Sequence, residues 1–285
     1  MKGHAWQRLA MACGRSAWPA MRRLRGMVAW IARTAPELRV EHRLGRMYGR
    51  HALIGAVRRE LRPLDLIVER GPIKVSDAFI PGHFKHVAIY VGPRLSGQIQ
   101  RLAIGRSRGR RRIRTNLVIL EATRKGVRLA SLDTFFRTVD TFVVLRGRTR
   151  GAAARRRLAE RAAGELGKAY DFNFDLADHR RQFCCKLVAD LLPEMPFEDL
   201  LNTGAPVIAD EFVLPTVRRR RGAPKAVLLV EDARQCRPEA RNQRLEELLE
   251  AETAESPATA SARCSGTRPS RGRTVRPGAR SRPSP

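Results

Sequence analysis

Gln182-Phe183-Cys184-Cys185-Lys186-Leu187-Val188-Ala189-Asp190 reads as the end of a loop running into a helix. Phe183, Leu187, Val188 and Leu191 recur at helical spacing and form one apolar face. Cys184 falls at or just before the first turn. There the backbone N–H groups lack intrahelical acceptors, and the positive end of the helix dipole favours a thiolate over a thiol. The plain alternative is a small buried hydrophobe, the common role of a cysteine on an apolar helix. A matching histidine and carboxylate elsewhere in the chain would favour the nucleophile reading, although spacing alone does not prove geometry.

Both are found upstream. His86-Val87-Ala88-Ile89-Tyr90-Val91 is a strand closed by Gly92-Pro93, with His86 as its first residue. Leu117-Val118-Ile119-Leu120-Glu121-Ala122 is another strand, and Gly126-Val127-Arg128-Leu129 reads as its hairpin partner. Cys184 as nucleophile, His86 as base and Glu121 as orienting group would make a thiol hydrolase. A free thiol is mostly protonated at neutral pH, so an imidazole must take its proton and a third polar group must fix the ring tautomer. The N–H of Cys184 would be a natural donor to the acyl oxyanion. Sequence separation is no obstacle, because such groups are recognised by geometry. His83 is a rival base in the preceding loop. His86 and Glu121 also have plain alternatives, a buried strand-end histidine and a solvent-facing strand residue.

The remaining chain frames these pieces. An amphipathic helix is expected from about Leu38 to Leu61, with Val40, Leu44, Met47, Ile54, Val57 and Leu61 on its apolar side. Asp65-Leu66-Ile67-Val68 and Thr141-Phe142-Val143-Val144-Leu145-Arg146 read as strands, and Val227-Leu228-Leu229-Val230 as a last one. Gly97 to Thr115 is arginine-rich and reads as a solvated loop. Ala152 to Leu166 reads as an alanine-rich helix ended by Gly167. Tyr170-Asp171-Phe172-Asn173-Phe174-Asp175 is an aromatic, acidic loop. Arg241 to Glu250 reads as a short charged helix, and the segment beyond Ser256 has the composition of disorder.

Charge is the compositional outlier. The chain of 285 residues carries 56 Lys+Arg against 28 Asp+Glu, a formal net charge of +28. Such a balance attracts polyanions, but residues 1–36 and 262–285 hold no acidic residue at all, so much of the excess sits in two arms. The first arm carries Trp6, Trp18 and Trp30 among arginines, a mix that suits a helix lying at a membrane surface and equally a disordered extension. Nucleic acid is disfavoured as a partner, because the basic stretches lack interleaved aromatics and no recognition motif occurs. The five cysteines, Cys13, Cys184, Cys185, Cys236 and Cys264, suit neither a disulfide framework nor a zinc site. No metal or cofactor is expected. No apolar run is long enough for a standard spanning helix. The expected organisation is a basic extension over 1–36, the amphipathic helix over 37–60, a catalytic domain over 61–232 and a basic tail over 233–285.

At these residues the chain resembles the permuted NlpC-type papain-like cysteine hydrolases, in particular the YiiX/YebB-like branch. The resemblance rests on four pieces in order: Asp65-Leu66-Ile67-Val68, His86 to Gly92, Ile119 to Ala122 with Gly126-Val127, and Tyr170 to Asp175 followed by Phe183-Cys184-Cys185-Lys186-Leu187-Val188. It covers about Leu61 to Val230. It implies an α+β, circularly permuted papain-like fold, an antiparallel sheet packed on helices that include the nucleophile helix. It implies the roles already given to Cys184, His86 and Glu121, and support of substrate or oxyanion by Tyr170, Asp171 and Cys185. The implied substrate is an acyl amide or acyl ester, in a cell-wall peptide or a lipid, cleaved without a cofactor at a site in the cytoplasm, on the inner membrane or in the envelope. Polyanion binding, or a silent member of the same fold, are the competing functions. Two positions depart from the family pattern: Leu64 stands where a glycine is usual, and Cys185-Lys186 replaces Ser-Glu. A cation at Lys186 would be expected to lower the Cys184 pKa further.

Overall fold

The computed structural model describes residues 43–72, 82–107, 112–148 and 151–255. The expectations for residues 1–36 and for the chain beyond Ser256 lie outside these. A seven-stranded sheet runs through the centre in the order β4-β3-β2-β1-β5-β8-β9. Its strands are β1 (Asp65–Arg70), β2 (His86–Tyr90), β3 (Ile119–Thr123), β4 (Gly126–Ala130), β5 (Thr141–Arg146), β8 (Lys225–Glu231) and β9 (Arg234–Gln235). Every neighbouring pair is antiparallel. A short parallel pair, β6 (Ala169–Tyr170) and β7 (Arg181–Gln182), forms a second sheet against β4, where the Val127 N–H donates to Lys168 O at 2.9 Å. The helices are α1 (His51–Glu60), α2 (Gly92–Ser107), α3 (Leu132–Phe136), α4 (Ala152–Glu165), α5 (Cys184–Leu191), α6 (Asp210–Val217) and α7 (Arg241–Glu255).

The central strands are apolar on both sides, because the sheet is covered on both faces. Leu66, Val68, Val87, Ile89, Val143 and Leu145 belong to one core, shared with α4, α5 and α7. The alternate residues Ile67, Ala88, Tyr90, Phe142 and Val144 belong to the other, closed by Phe135, Phe136, Ile54 and Val57. This is the period-two alternation of a pleated strand. Phe183, which precedes α5, and Leu187, Val188 and Leu191 on it are all buried, as their spacing predicts. Each such Leu or Val contributes roughly 1.5–3 kcal/mol by leaving water.

Three sequence expectations are corrected. Within the described residues the first helix spans only His51–Glu60, not the whole stretch from Leu38. Gly45 prevents the longer helix: its N–H donates to Arg137 O at 2.9 Å, and Met47 N–H donates to Val139 O at 3.0 Å. A Cβ on Gly45 would lie 2.3 Å from the Val139 nitrogen, so only glycine allows this approach. Leu44, placed on the apolar side by periodicity, is exposed. Second, the arginine-rich stretch from Gly97 begins inside a helix, α2, not a solvated loop. Pro93 sits in its first turn, where a missing N–H costs nothing, and Leu95, Ser96 and Ile99 are buried. Third, the boundary drawn at 232 falls too early: the expected charged helix is present as α7 and residues 233–255 join the folded domain. Leu245 and Leu248 of α7 enter the main core, and Arg244 grips Glu231 of β8 through Nε and Nη2 at 2.8 and 2.6 Å.

The departure at Leu64 has a conformational cost. Leu64 adopts φ 74°, a left-handed conformation natural to glycine, which costs a branched residue about 1–2 kcal/mol. Its N–H donates to Tyr90 O at 2.8 Å, and its side chain is buried in the main core. Next to it, the fully buried Asp65 accepts from Arg146 Nε at 3.0 Å, from Arg146 Nη2 at 2.8 Å and from the Arg62 N–H at 2.8 Å. These bonds tie the start of β1 to the end of β5. Removing one partner of such a buried pair strands the other charge, so Asp65→Ala is expected to cost about 3–5 kcal/mol in denaturant unfolding.

Candidate active site

The site forms where two strands part. β2 and β3 pair only at Ile89–Leu120 and Tyr90–Ile119. Beyond that point the ladder stops, and the tip of α5 packs on both strands. Val87, whose N–H has no β3 partner there, donates instead to the Cys184 sulfur. Cys184 opens α5 after Phe183, which is extended at φ −117° and ψ 167°. The first intrahelical bond runs from the Leu187 N–H to Phe183 O at 2.9 Å.

The three residues singled out by sequence come together here. The His86 side chain is hydrogen-bonded to Cys184. Its Nε2 lies 3.2 Å from Glu121 Oε2, so the same ring serves both the sulfur and the carboxylate. The ring also lies 6.3 Å, centroid to centroid, from Phe135. The imidazole therefore bridges the two cores, since Cys184 belongs to one and Phe135 to the other.

The charges follow from this arrangement. Burial opposes a charged imidazole, but the hydrogen bonds and charges of Cys184 and Glu121 outweigh it and push the His86 pKa up to about 10. The hydrogen bond from Cys185 holds the Cys184 thiol well below its ordinary range; burial opposes this, and His86 and the Val87 N–H reinforce it. Cys185 shifts the other way: burial and the adjacent Cys184 charge push it well up, so it stays a thiol. Its sulfur is 3.9 Å from that of Cys184. Burial tends to raise the Glu121 pKa, yet His86 and Arg128 hold this carboxyl below the usual range. The result is a thiolate–imidazolium pair backed by a carboxylate.

The supporting residues divide. The half-buried Tyr170 is hydrogen-bonded to Cys184, and burial together with the sulfur's charge keeps its phenol protonated. Asp171 serves the loop instead. Its carboxylate accepts from the N–H groups of Asn173 at 2.9 Å and Asp175 at 2.7 Å, an Asx-type turn that shapes the segment after Tyr170. Lys186 does not act on the sulfur. Its ammonium is buried and donates to the backbone carbonyls of Asp175, Asp178 and Arg181, so the expected effect of this cation on Cys184 is absent. The rival base His83 is engaged elsewhere, with Nδ1 3.0 Å from Arg70 Nη1 and its ring edge-on to Phe84.

Sequence reasoning missed two contributors. Arg128 donates to Glu121 Oε1 from Nε at 2.9 Å and pairs with it through Nη2 at 2.8 Å. A two-residue turn in the β3–β4 hairpin would have placed it directly opposite Glu121. Asp210 anchors the turn leading into β2, accepting from the His83 N–H at 2.7 Å and the Phe84 N–H at 2.8 Å. Gly82, at φ 96°, lets that carboxylate approach, because a Cβ there would lie 2.5 Å from Asp210 Oδ2. No local sequence signal marks this contact, whose partners lie 127 positions apart.

The family model described as permuted papain-like amidase enzyme, YaeF/YiiX, C92 family, matches residues 61–203. The chain belongs to this family. The permuted papain-like amidase is thus a thiol-dependent hydrolase, in keeping with a sheet whose histidine strand precedes the cysteine helix in sequence. A solved structure titled metalloprotein yiiX from Escherichia coli O157:H7 is similar at 20% identity, over 61% of this chain and 89% of that one, with a TM-score of 0.35. No curated protein gives a significant match. Among the described residues of the amidase, no group of three or more His, Cys, Asp or Glu side chains is arranged to hold a metal ion.

The opposite shifts of the two cysteines give a direct check. Iodoacetamide at pH 6 should modify Cys184 at least about tenfold faster than Cys185, since each unit of pKa separation changes the thiolate fraction tenfold. Peptide mass spectrometry reads the two rates, and equal rates would refute the assigned charges.

Proposed function

We propose that Cys184 is the nucleophile of an amide- or ester-cleaving hydrolase, with His86 as acid and base and Glu121 as the group that orients the ring. One observation supports this above the others: sulfur, imidazole and carboxylate are joined, with His86 Nε2 3.2 Å from Glu121 Oε2 and the same ring hydrogen-bonded to Cys184.

The chemistry follows from those contacts. The Cys184 thiolate adds to the substrate carbonyl, and the carbonyl electrons move onto oxygen. The N–H of Cys184, free of an intrahelical acceptor, and the phenol of Tyr170 are the candidate donors to that oxyanion. As the oxyanion collapses, the imidazolium gives its proton to the leaving nitrogen or oxygen, and a thioester remains on Cys184. The neutral ring then takes a proton from water. The hydroxide adds to the thioester, the tetrahedral species expels the thiolate, and the acid product leaves. Imidazolium and thiolate are restored. Glu121 holds the ring in place throughout and offsets its charge.

The substrate class is an acyl amide or acyl ester, in a cell-wall peptide or a lipid. The basic arms at residues 1–36 and 262–285 suit delivery to an anionic surface, with the first arm resting on a membrane. This accessory role needs no residue of the site.

Activated acyl esters such as p-nitrophenyl acetate test the reading. The protein should give a burst of nitrophenol and gain one acetyl group on Cys184. Cys184→Ala should abolish both, and Cys185→Ala should largely spare them. His86→Ala should lower turnover by about 10²–10⁴-fold, the usual contribution of a general acid and base. On an acyl amide, whose leaving nitrogen must be protonated, kcat/KM should hold through neutral pH and fall as pH rises through about 10, where His86 of the free enzyme loses its proton. Equal acylation of the two cysteine variants would reject the assignment.

A further inference from the structure

The hydrogen bonds of Glu121 extend the site by one residue. Its carboxylate is almost wholly buried, with a side chain only 4% exposed, and its two oxygens have separate tasks. Oε2 faces His86 Nε2 at 3.2 Å. Oε1 is held by Arg128, from Nε at 2.9 Å and Nη2 at 2.8 Å. Arg128 reaches it across the β3–β4 hairpin, where the two residues are direct cross-strand partners. Its side chain is 35% exposed, so the guanidinium stands between the buried carboxylate and solvent.

We propose that Arg128 is a positioning residue of the hydrolase, acting on His86 through Glu121. The inference rests on the proposed roles of Cys184, His86 and Glu121. Along the row the charges alternate: thiolate, imidazolium, carboxylate, guanidinium. Without the last, the buried ionised groups would sum to one unpaired negative charge, which a low-dielectric site opposes. The cheapest relief would be a proton on Glu121. A protonated carboxyl no longer offsets the imidazolium, and its plane is free to turn. Arg128 removes both options. Its charge keeps Glu121 ionised, and its two N–H groups converge on Oε1 and fix the carboxylate plane so that Oε2 stays on the ring. The hydrogen bond and ion pair of Arg128 both go to Glu121, so its effect passes through the carboxylate.

The two parts of the claim separate by substitution. Arg128→Gln removes the charge, and Arg128→Lys keeps a charge but loses the fork. The pH profile of kcat/KM on p-nitrophenyl acetate is measured for wild type and both variants, from pH 4.5 to 8.5. The acid limb of Arg128→Gln should move up by about one pH unit or more, so that activity at pH 5 falls severalfold further than at pH 8. Arg128→Lys should return the limb towards wild type, with a plateau that stays below it. Iodoacetamide alkylation of Cys184 at pH 7 and the thermal midpoint serve as readouts of the nucleophile and the fold. Both should change little in Arg128→Lys, which also covers the case in which Arg128→Gln does not fold. A uniform fall at every pH, in step with a lower thermal midpoint, would show a purely structural pair and overturn the proposal. So would an unshifted limb in Arg128→Gln. A wild-type protein with no burst and no acylation of Cys184 would instead remove the hydrolase reading on which this one rests.

Discussion

The hydrogen bond between the Cys184 sulfur and the His86 ring places two opposite charges inside a protein core, and the surrounding elements make that tolerable. A buried ion is costly unless its partners are close and well aimed. Here the sheet opens to admit them. The β2–β3 ladder stops short of His86, α5 enters the gap tip first, and a strand N–H that would have paired across the ladder turns to the sulfur instead. The thiol of Cys185 and the phenol of Tyr170 supply further donors. The same opening lets the imidazole touch both cores, which fixes its plane by packing as well as by hydrogen bonding.

The frame around the pair is built from buried carboxylates. Asp210 and Glu211 are consecutive at the start of α6 and serve different loops. Asp210 holds the turn that delivers β2. Glu211 collects the N–H groups of Leu200, Val207 and Ile208 at 2.8, 2.6 and 3.0 Å, closing the 200–208 loop against α6. Burial pushes the Glu211 carboxyl up to about 7, while those N–H groups pull it down. Its nearby charge helps keep Cys185 protonated. One helix start thus sets both the entry of the histidine strand and the electrostatic contrast between the two adjacent thiols.

Much of this was legible in the sequence, and the failures have physical causes. Strands β1, β2, β3 and β5 and the helix after Phe183 are dense apolar runs, so period and length identify them. The trio could be nominated because chemistry restricts the residue types, although its contacts depend on the fold. The helix α2 was hidden because its arginines mask a short apolar stripe of Leu95 and Ile99. The first helix was overextended because one glycine, needed for a backbone-to-backbone approach, does not disturb the hydrophobic period. The support expected of Asp171 comes from the family resemblance, and the effect expected of Lys186 from its closeness in sequence to Cys184. Each instead spends its hydrogen bonds on backbone groups of the same loop, and side-chain direction cannot be read from spacing. Arg128 lay within the hairpin already recognised, and its cross-strand position needed only the turn length.

The carbonyl cage around Lys186 has a further consequence. An ammonium rooted in the first turn of α5 has a fixed reach, and it grips three carbonyls of the preceding segment. The loop between Asp175 and Arg181 is therefore measured against the helix. Inserting or deleting a residue there would leave the cation without its full set of oxygens in a dry interior, so loop grafting, usually tolerated at connections between elements, should fail on this stretch. Length here is as constrained as identity is in a core.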